Sequence, residues 1–207
     1  MINKKTFANE INSVLKKNLK QDKNFYVGGQ LIKYGVAGLT TGLYEKYKKQ
    51  MITYPVSESL MNSSVMGMAL AGKKVVLMHV RIDFLASGMC ALVNHIPIWH
   101  EKGFKLPIVI VCQVGRGMGQ GPQHSKDLSV WFKDFQGWNL AIPYSPHEAG
   151  TLLQKSIKSN KPTIYVIHRE LFNSSSRKKI NIPKKINLCG ASRSHEKIFY
   201  SKRDKEK

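Results

Sequence analysis

The run Ile108-Val109-Ile110-Val111-Cys112 constrains the fold more than any other stretch of this chain. Consecutive apolar residues, most of them β-branched, suit a strand covered on both faces, and such strands belong to parallel sheets packed between helices. The run opens, past Val114, into Gly115-Arg116-Gly117-Met118-Gly119-Gln120-Gly121-Pro122-Gln123-His124, a glycine-rich loop carrying one histidine. That loop joins the strand to an amphipathic helix candidate.

The rest of the chain alternates in period around that strand. Phe7, Ile11, Val14, Leu15 and Leu19 fall on one face of a helix over 6–19, with Thr6 as its N-cap. A strand at Phe25–Val27 runs into Gly28-Gly29, a segment with a glycine-rich opening closes as a helix over 41–49, and Met51–Thr53 is a brief strand. After Glu58, Leu60, Met61, Val65, Met68 and Ala69 line a helix that ends at Gly72. Val75–Val80 is a buried strand, and 85–100 is an apolar helix that Pro97 kinks or ends. Beyond the glycine loop come a short helix over 125–135 and a strand at 140–142. Ser145-Pro146-His147-Glu148 combines a capping box with proline at the first helical position and starts a helix running to Ser159. Thr163–Ile167 is the last strand. Alternating helices and strands need crossover connections, so the expected class is α/β, a three-layer α/β/α arrangement on a mainly parallel sheet. Residues 1–173 form one domain, and 174–207 form a basic tail, flexible or partner-dependent.

Composition narrows the function classes. The chain has 207 residues, 42% apolar, enough for one sizeable core. Its net charge of +20 invites a nucleic-acid reading, because lysines gain affinity by releasing counterions from phosphates. The distribution argues against it: +8 of that charge sits in the tail, with 11 Lys/Arg against 3 Asp/Glu. The other lysines are scattered, without the interleaved aromatics that stack bases. Cys90, Cys112 and Cys189 lack any Cys-x-x-Cys spacing and read as reduced thiols. The N-terminus has no apolar signal core, and the apolar runs are too short to span a bilayer, so a soluble cytoplasmic protein is expected, with no membrane partner. No metal-ligand spacing stands out.

Among candidate site residues, Glu58 ends the turn Tyr54-Pro55-Val56-Ser57 at the start of a helix, where it is either a dipole-complementing acid or a working carboxyl. Phe84 stands just beyond a strand end and is either core packing or a stacking surface. His124 either caps the next helix or meets a ligand. His95, mid-helix among apolar residues, and His79, near a strand end, read as structural. The glycines at 115, 117, 119 and 121 recur every second residue, which is neither G-x-G-x-x-G nor a Walker loop.

Taken in order, these segments resemble a known family. FANEINSVLKKNL followed by FYVGG, then YGVAGLTTGLYEKY, YPVSES, RIDF, LVNHIPIW, GRGMGQGPQHS, SPHEAG and HREL are similar to the beta subunit of thiamine-diphosphate-dependent 2-oxo acid dehydrogenases of the pyruvate dehydrogenase type, within the wider transketolase family. The resemblance covers about Thr6 to Phe172 and implies the pyrimidine-binding domain of the thiamine-diphosphate-binding fold. It implies a cofactor-activating role for Glu58, a pyrimidine-stacking role for Phe84 and a substrate-facing role for His124. Glu58 and His124 are thus the expected catalytic residues, and Glu58 and Phe84 the expected cofactor-binding ones.

The same resemblance implies thiamine diphosphate as cofactor, with magnesium and the diphosphate held by an alpha-type subunit through a Gly-Asp-Gly motif that does not occur here. An α2β2-like heterotetramer acting on a 2-oxo acid is the expected assembly, an oxidoreductase active only with its partner. Departures also stand out. Gly28-Gly29-Gln30 lacks the acidic residues the family places after its first strand, Cys90-Ala91 replaces a polar pair, and the tail does not resemble the family's second domain. A non-catalytic regulatory or scaffold subunit retaining the fold is the alternative.

Overall fold

The computed structural model describes residues 5–176. Six strands form one sheet: β1 (Phe25–Gly29), β2 (Met51–Thr53), β3 (Lys74–His79), β4 (Ile108–Val114), β5 (Asn139–Ala141) and β6 (Thr163–His168). Their order is β2-β1-β3-β4-β6-β5, and every neighbouring pair is parallel. Every residue of β4 and of β6 is buried, as the apolar run at 108–112 requires. The short edge strands β2 and β5 are only partly covered.

The described residues include four α-helices: α1 (Phe7–Gln21), α2 (Glu58–Leu70), α3 (Ile96–Glu101) and α4 (Pro146–Lys158). In register, Val111 pairs with Tyr165 and Cys112 with His79. Tyr165 donates its hydroxyl to Ala149 O on α4, and His79 bonds Asn62 on α2. Successive residues of a strand point to opposite faces, so α4 and α2 cover opposite sides, giving the expected three layers. Phe7, Ile11, Leu15 and Leu19 of α1 are fully buried, each stabilising the fold by about 1.5–3 kcal/mol. The caps form as the sequence specifies: Thr6 accepts from Asn9 N, and Ser145 from Glu148 N.

Three expected helices differ. Residues 41–49 form turns with one short 3-10 segment at Lys48–Gln50. Positive φ at Gly35, Gly38 and Gly42 bends this segment, and the Asn12 side chain takes the carbonyls of Leu39 and Thr41 from outside. The 85–100 helix breaks into 3-10 turns over Ile82–Gly88, a π turn at Ala91–His95, and α3. Pro97 has no N–H to continue a regular ladder, so the backbone widens before it and restarts with proline in the first turn of α3. Over 125–135 only Ser129–Phe132 is helical. There Asp127 captures Ser129 N, an amide a helix would use, and Asp83 holds Lys126 N. His95, expected to be structural among apolar residues, is exposed, with Cys90 Sγ 3.6 Å from its Nε2; Leu60 is exposed as well. The tail expected over 174–207 lies almost wholly outside the described residues.

Candidate active site

The chain leaves β1 toward β2 on one side and leaves β3 toward β4 on the other, so the order in which strands are added reverses between β1 and β3. A crevice forms at such a reversal, outside the carboxyl ends of the strands. Gln30 follows β1 there, the Arg81–Phe84 segment follows β3, and the Gly115–His124 loop follows β4.

Glu58 is the first residue of α2 and is 9% exposed. Gln30, equally buried, donates its side-chain amide to Glu58 Oε1 at 3.2 Å and also approaches Met61 Sδ at 3.6 Å. Among the described residues nothing donates to Oε2, so one carboxyl oxygen is held and the other is free for a ligand. The helix that starts at Glu58 also carries the bonds that seat the Phe84 segment. Ser59 donates to Ser87 O at 2.7 Å, and Asn62 donates its amide to Gly88 O at 3.1 Å. Gly88 has no room for a side chain, since a Cβ would fall 2.3 Å from Asn62 Nδ2 and 2.9 Å from Glu58 O.

Asn62 accepts in turn from His79 Nε2 at 2.9 Å. An amide oxygen accepts only, so the proton lies on Nε2 of a neutral ring. Burial pushes the imidazole down to about 4, consistent with the structural role expected of His79.

Phe84 and His124 come together. The Phe84 ring meets the His124 imidazole edge-on, centroids 5.1 Å apart at 84°, and both side chains are part-exposed. His124 sits at the end of the 3-10 turn Pro122–His124, reached through positive φ at Gly117, Gly119 and Gly121. Gly115 is required for a different reason: a Cβ there would fall 2.3 Å from His124 O and 2.7 Å from Arg81 Nε. Nearby, Asp83 is raised by burial, an effect opposed by the Lys126 amide and by the Lys126 and His124 charges. Arg81 is 2% exposed, and burial and the neighbouring Arg169 push its guanidinium below its ordinary range. A deeper pair, His168 and Asp127, lies 3.9 Å apart, too long for a hydrogen bond; burial holds His168 below the usual histidine range.

The expected site residues therefore lie on neighbouring segments at one sheet edge. Phe84 and His124 touch, and α2 ties Glu58 to the Phe84 segment. Sequence reasoning missed Asp83, Arg81 and Asn62, and met Gln30 only as a departure from pattern. Among the described residues no group of three His, Cys, Asp or Glu side chains could hold a metal ion. No single helix among them is long and apolar enough to cross a membrane.

The family model for the transketolase pyrimidine-binding domain matches residues 3–174. The chain belongs to the transketolase pyrimidine-binding domain family. This pyrimidine-binding domain is 30% identical over 141 residues to the beta subunit of acetoin:2,6-dichlorophenolindophenol oxidoreductase from Cupriavidus necator, covering 67% of this chain and 42% of that protein. It is 25% identical over 176 residues to the mitochondrial pyruvate dehydrogenase E1 component subunit beta of Saccharomyces cerevisiae, covering 82% and 48%. The Staphylococcus aureus pyruvate dehydrogenase E1 component subunit beta is 28% identical over 175 residues, covering 82% and 54%. The chain thus spans about half the length of these curated relatives. A solved structure described as a split gene transketolase, inactive beta4 tetramer, shares the fold with TM-score 0.65 and 12% identity, over 87% of this chain and 55% of that one.

Proposed function

We propose that this pyrimidine-binding domain is a beta-type subunit of a thiamine-diphosphate-dependent 2-oxo acid dehydrogenase or decarboxylase, completing its site with an alpha-type partner. The observation that carries the reading is Glu58: a buried carboxyl at the reversal in strand order, one oxygen held by Gln30 and the other free. The relatives' descriptions as pyruvate dehydrogenase E1 and acetoin oxidoreductase beta subunits support the same class. Thiamine diphosphate, when bound, supplies the electron sink that lets a 2-oxo acid lose carbon dioxide.

The residues present fit that group. Glu58 offers Oε2 to a ring nitrogen and exchanges a proton there, from a position that excludes bulk water. Gln30 keeps the carboxyl from rotating. Phe84 offers a flat apolar surface for the pyrimidine, fixed through Ser87 and Gly88 to α2. His124 lies against that ring and hydrogen-bonds the substrate, moving a proton at its imidazole. The diphosphate and magnesium belong to the partner, in an α2β2-like assembly.

Glu58→Gln in the reconstituted complex keeps the hydrogen-bonding shape of the side chain but cannot exchange the proton. Turnover of the 2-oxo acid falls by at least about 100-fold while the assembled mass is unchanged. Undiminished turnover in an intact assembly removes Glu58 from the chemistry and leaves the scaffold reading.

A further inference from the structure

The segment that carries Phe84 also grips the loop that carries His124, and it does so at two points. Arg81, buried at the end of β3, donates from Nη1 to Val80 O and from Nη2 to Gln120 Oε1 in the middle of the glycine loop. Its Nε lies so near Gly115 that the loop's first residue can carry no side chain. Two residues further on, Asp83 Oδ1 accepts from the backbone N–H of Lys126 at 3.1 Å, just past His124. Between the two grips the rings of Phe84 and His124 meet edge-on. The second Asp83 oxygen, Oδ2, is buried and has no hydrogen-bond partner among the described residues.

A loop with glycine at 115, 117, 119 and 121 has little stiffness of its own, because each glycine leaves the backbone more conformations to lose. A histidine at its end holds a productive position only if something outside the loop fixes it. We infer that Arg81 and Asp83 clamp the 115–126 loop onto the Phe84 segment, and that Asp83 is the positioning residue for His124. It holds the main chain through Lys126 and keeps a half-buried carboxyl within electrostatic reach of His124. This inference rests on the reading of His124 as substrate-facing.

The test uses the chain assembled with its alpha-type partner. Asp83→Asn keeps an oxygen acceptor for Lys126 N and removes the charge, whereas Asp83→Ala removes both. In Asp83→Ala, amide hydrogen exchange quickens across 115–126 while β4 and β6 stay protected, and kcat falls by about 100-fold with little change in KM, the scale expected when a reacting group is misplaced by about 1 Å. In Asp83→Asn, loop protection is retained and kcat falls by about tenfold. Wild-type exchange or wild-type kcat in Asp83→Ala overturns the inference. Should that variant fail to assemble, a wild-type kcat in Asp83→Asn overturns it instead. His124→Ala separates the two levels: normal turnover there overturns the role of His124 itself, and Asp83's positioning role with it, even where exchange shows the clamp.

Discussion

Gln30 decides how Glu58 is presented. Its amide holds Oε1 from across the crevice, with both side chains almost out of water. Losing that donor leaves a buried carboxylate oxygen without its partner and frees the side chain to rotate. Gln30→Leu is therefore expected to lower kcat by about tenfold with KM nearly unchanged, read by steady-state kinetics of the assembled enzyme. A rise in KM with kcat intact would instead place Gln30 in substrate binding. Glu58 was legible in the sequence because its turn, Tyr54 to Ser57, is local. Gln30's part was not, because its partner lies 28 residues away and only the β1–β2 crossover brings the two together. Asp83 escaped notice for a similar reason: its partner, Lys126 N, lies 43 residues away on the loop after β4.

The pairing of β3 with α2 through His79 and Asn62 gives a pH dependence whose sign follows from burial. The folded histidine titrates at about 4 against an ordinary value of 6.5, so below 6.5 the unfolded chain binds the proton that the folded one refuses. The stabilisation is complete above pH 6.5 and is lost as the pH falls toward 4, on the order of 3 kcal/mol in all. His168, also depressed by burial, adds in the same direction. His79→Gln keeps a donor for Asn62 and does not titrate, so urea unfolding at pH 7, 5.5 and 4 should show a shallower loss than the wild type. An equal loss would assign the dependence to His168. Strands and capped helices were the elements the sequence specified well, since Ile108–Cys112 and Ser145–Glu148 state their structure locally. The helices expected over 41–49 and 125–135 lose ladder groups to side chains, Thr41 O to Asn12 and Ser129 N to Asp127.

A parallel sheet gives the whole molecule two unlike edges. Exposed Lys23, Lys48, Lys49, Lys74 and Lys105 stand at or just before the starts of β1 to β4, whereas Glu58, Phe84 and His124 lie beyond the strands' carboxyl ends. These five lysines stand at the edge opposite the candidate site, whereas Arg81 and Lys126 lie beside it. At the other edge, Glu58 Oε2 and the exposed parts of Phe84 and His124 lie on neighbouring segments, and among the described residues no group of three His, Cys, Asp or Glu side chains could hold a metal ion. On the proposed reading a second subunit supplies the rest of the cofactor site, and binding linkage then ties assembly to the cofactor. The chain alone should show no thiamine-diphosphate-dependent turnover of a 2-oxo acid. With an alpha-type chain that carries the diphosphate site, turnover should appear together with a light-scattering mass of two copies of each chain, and added cofactor with magnesium should raise the complex's melting temperature. Turnover by the isolated chain would overturn the shared site. Assembly without any cofactor-dependent shift or turnover would favour a subunit that has kept the fold and the partner surface but not the chemistry.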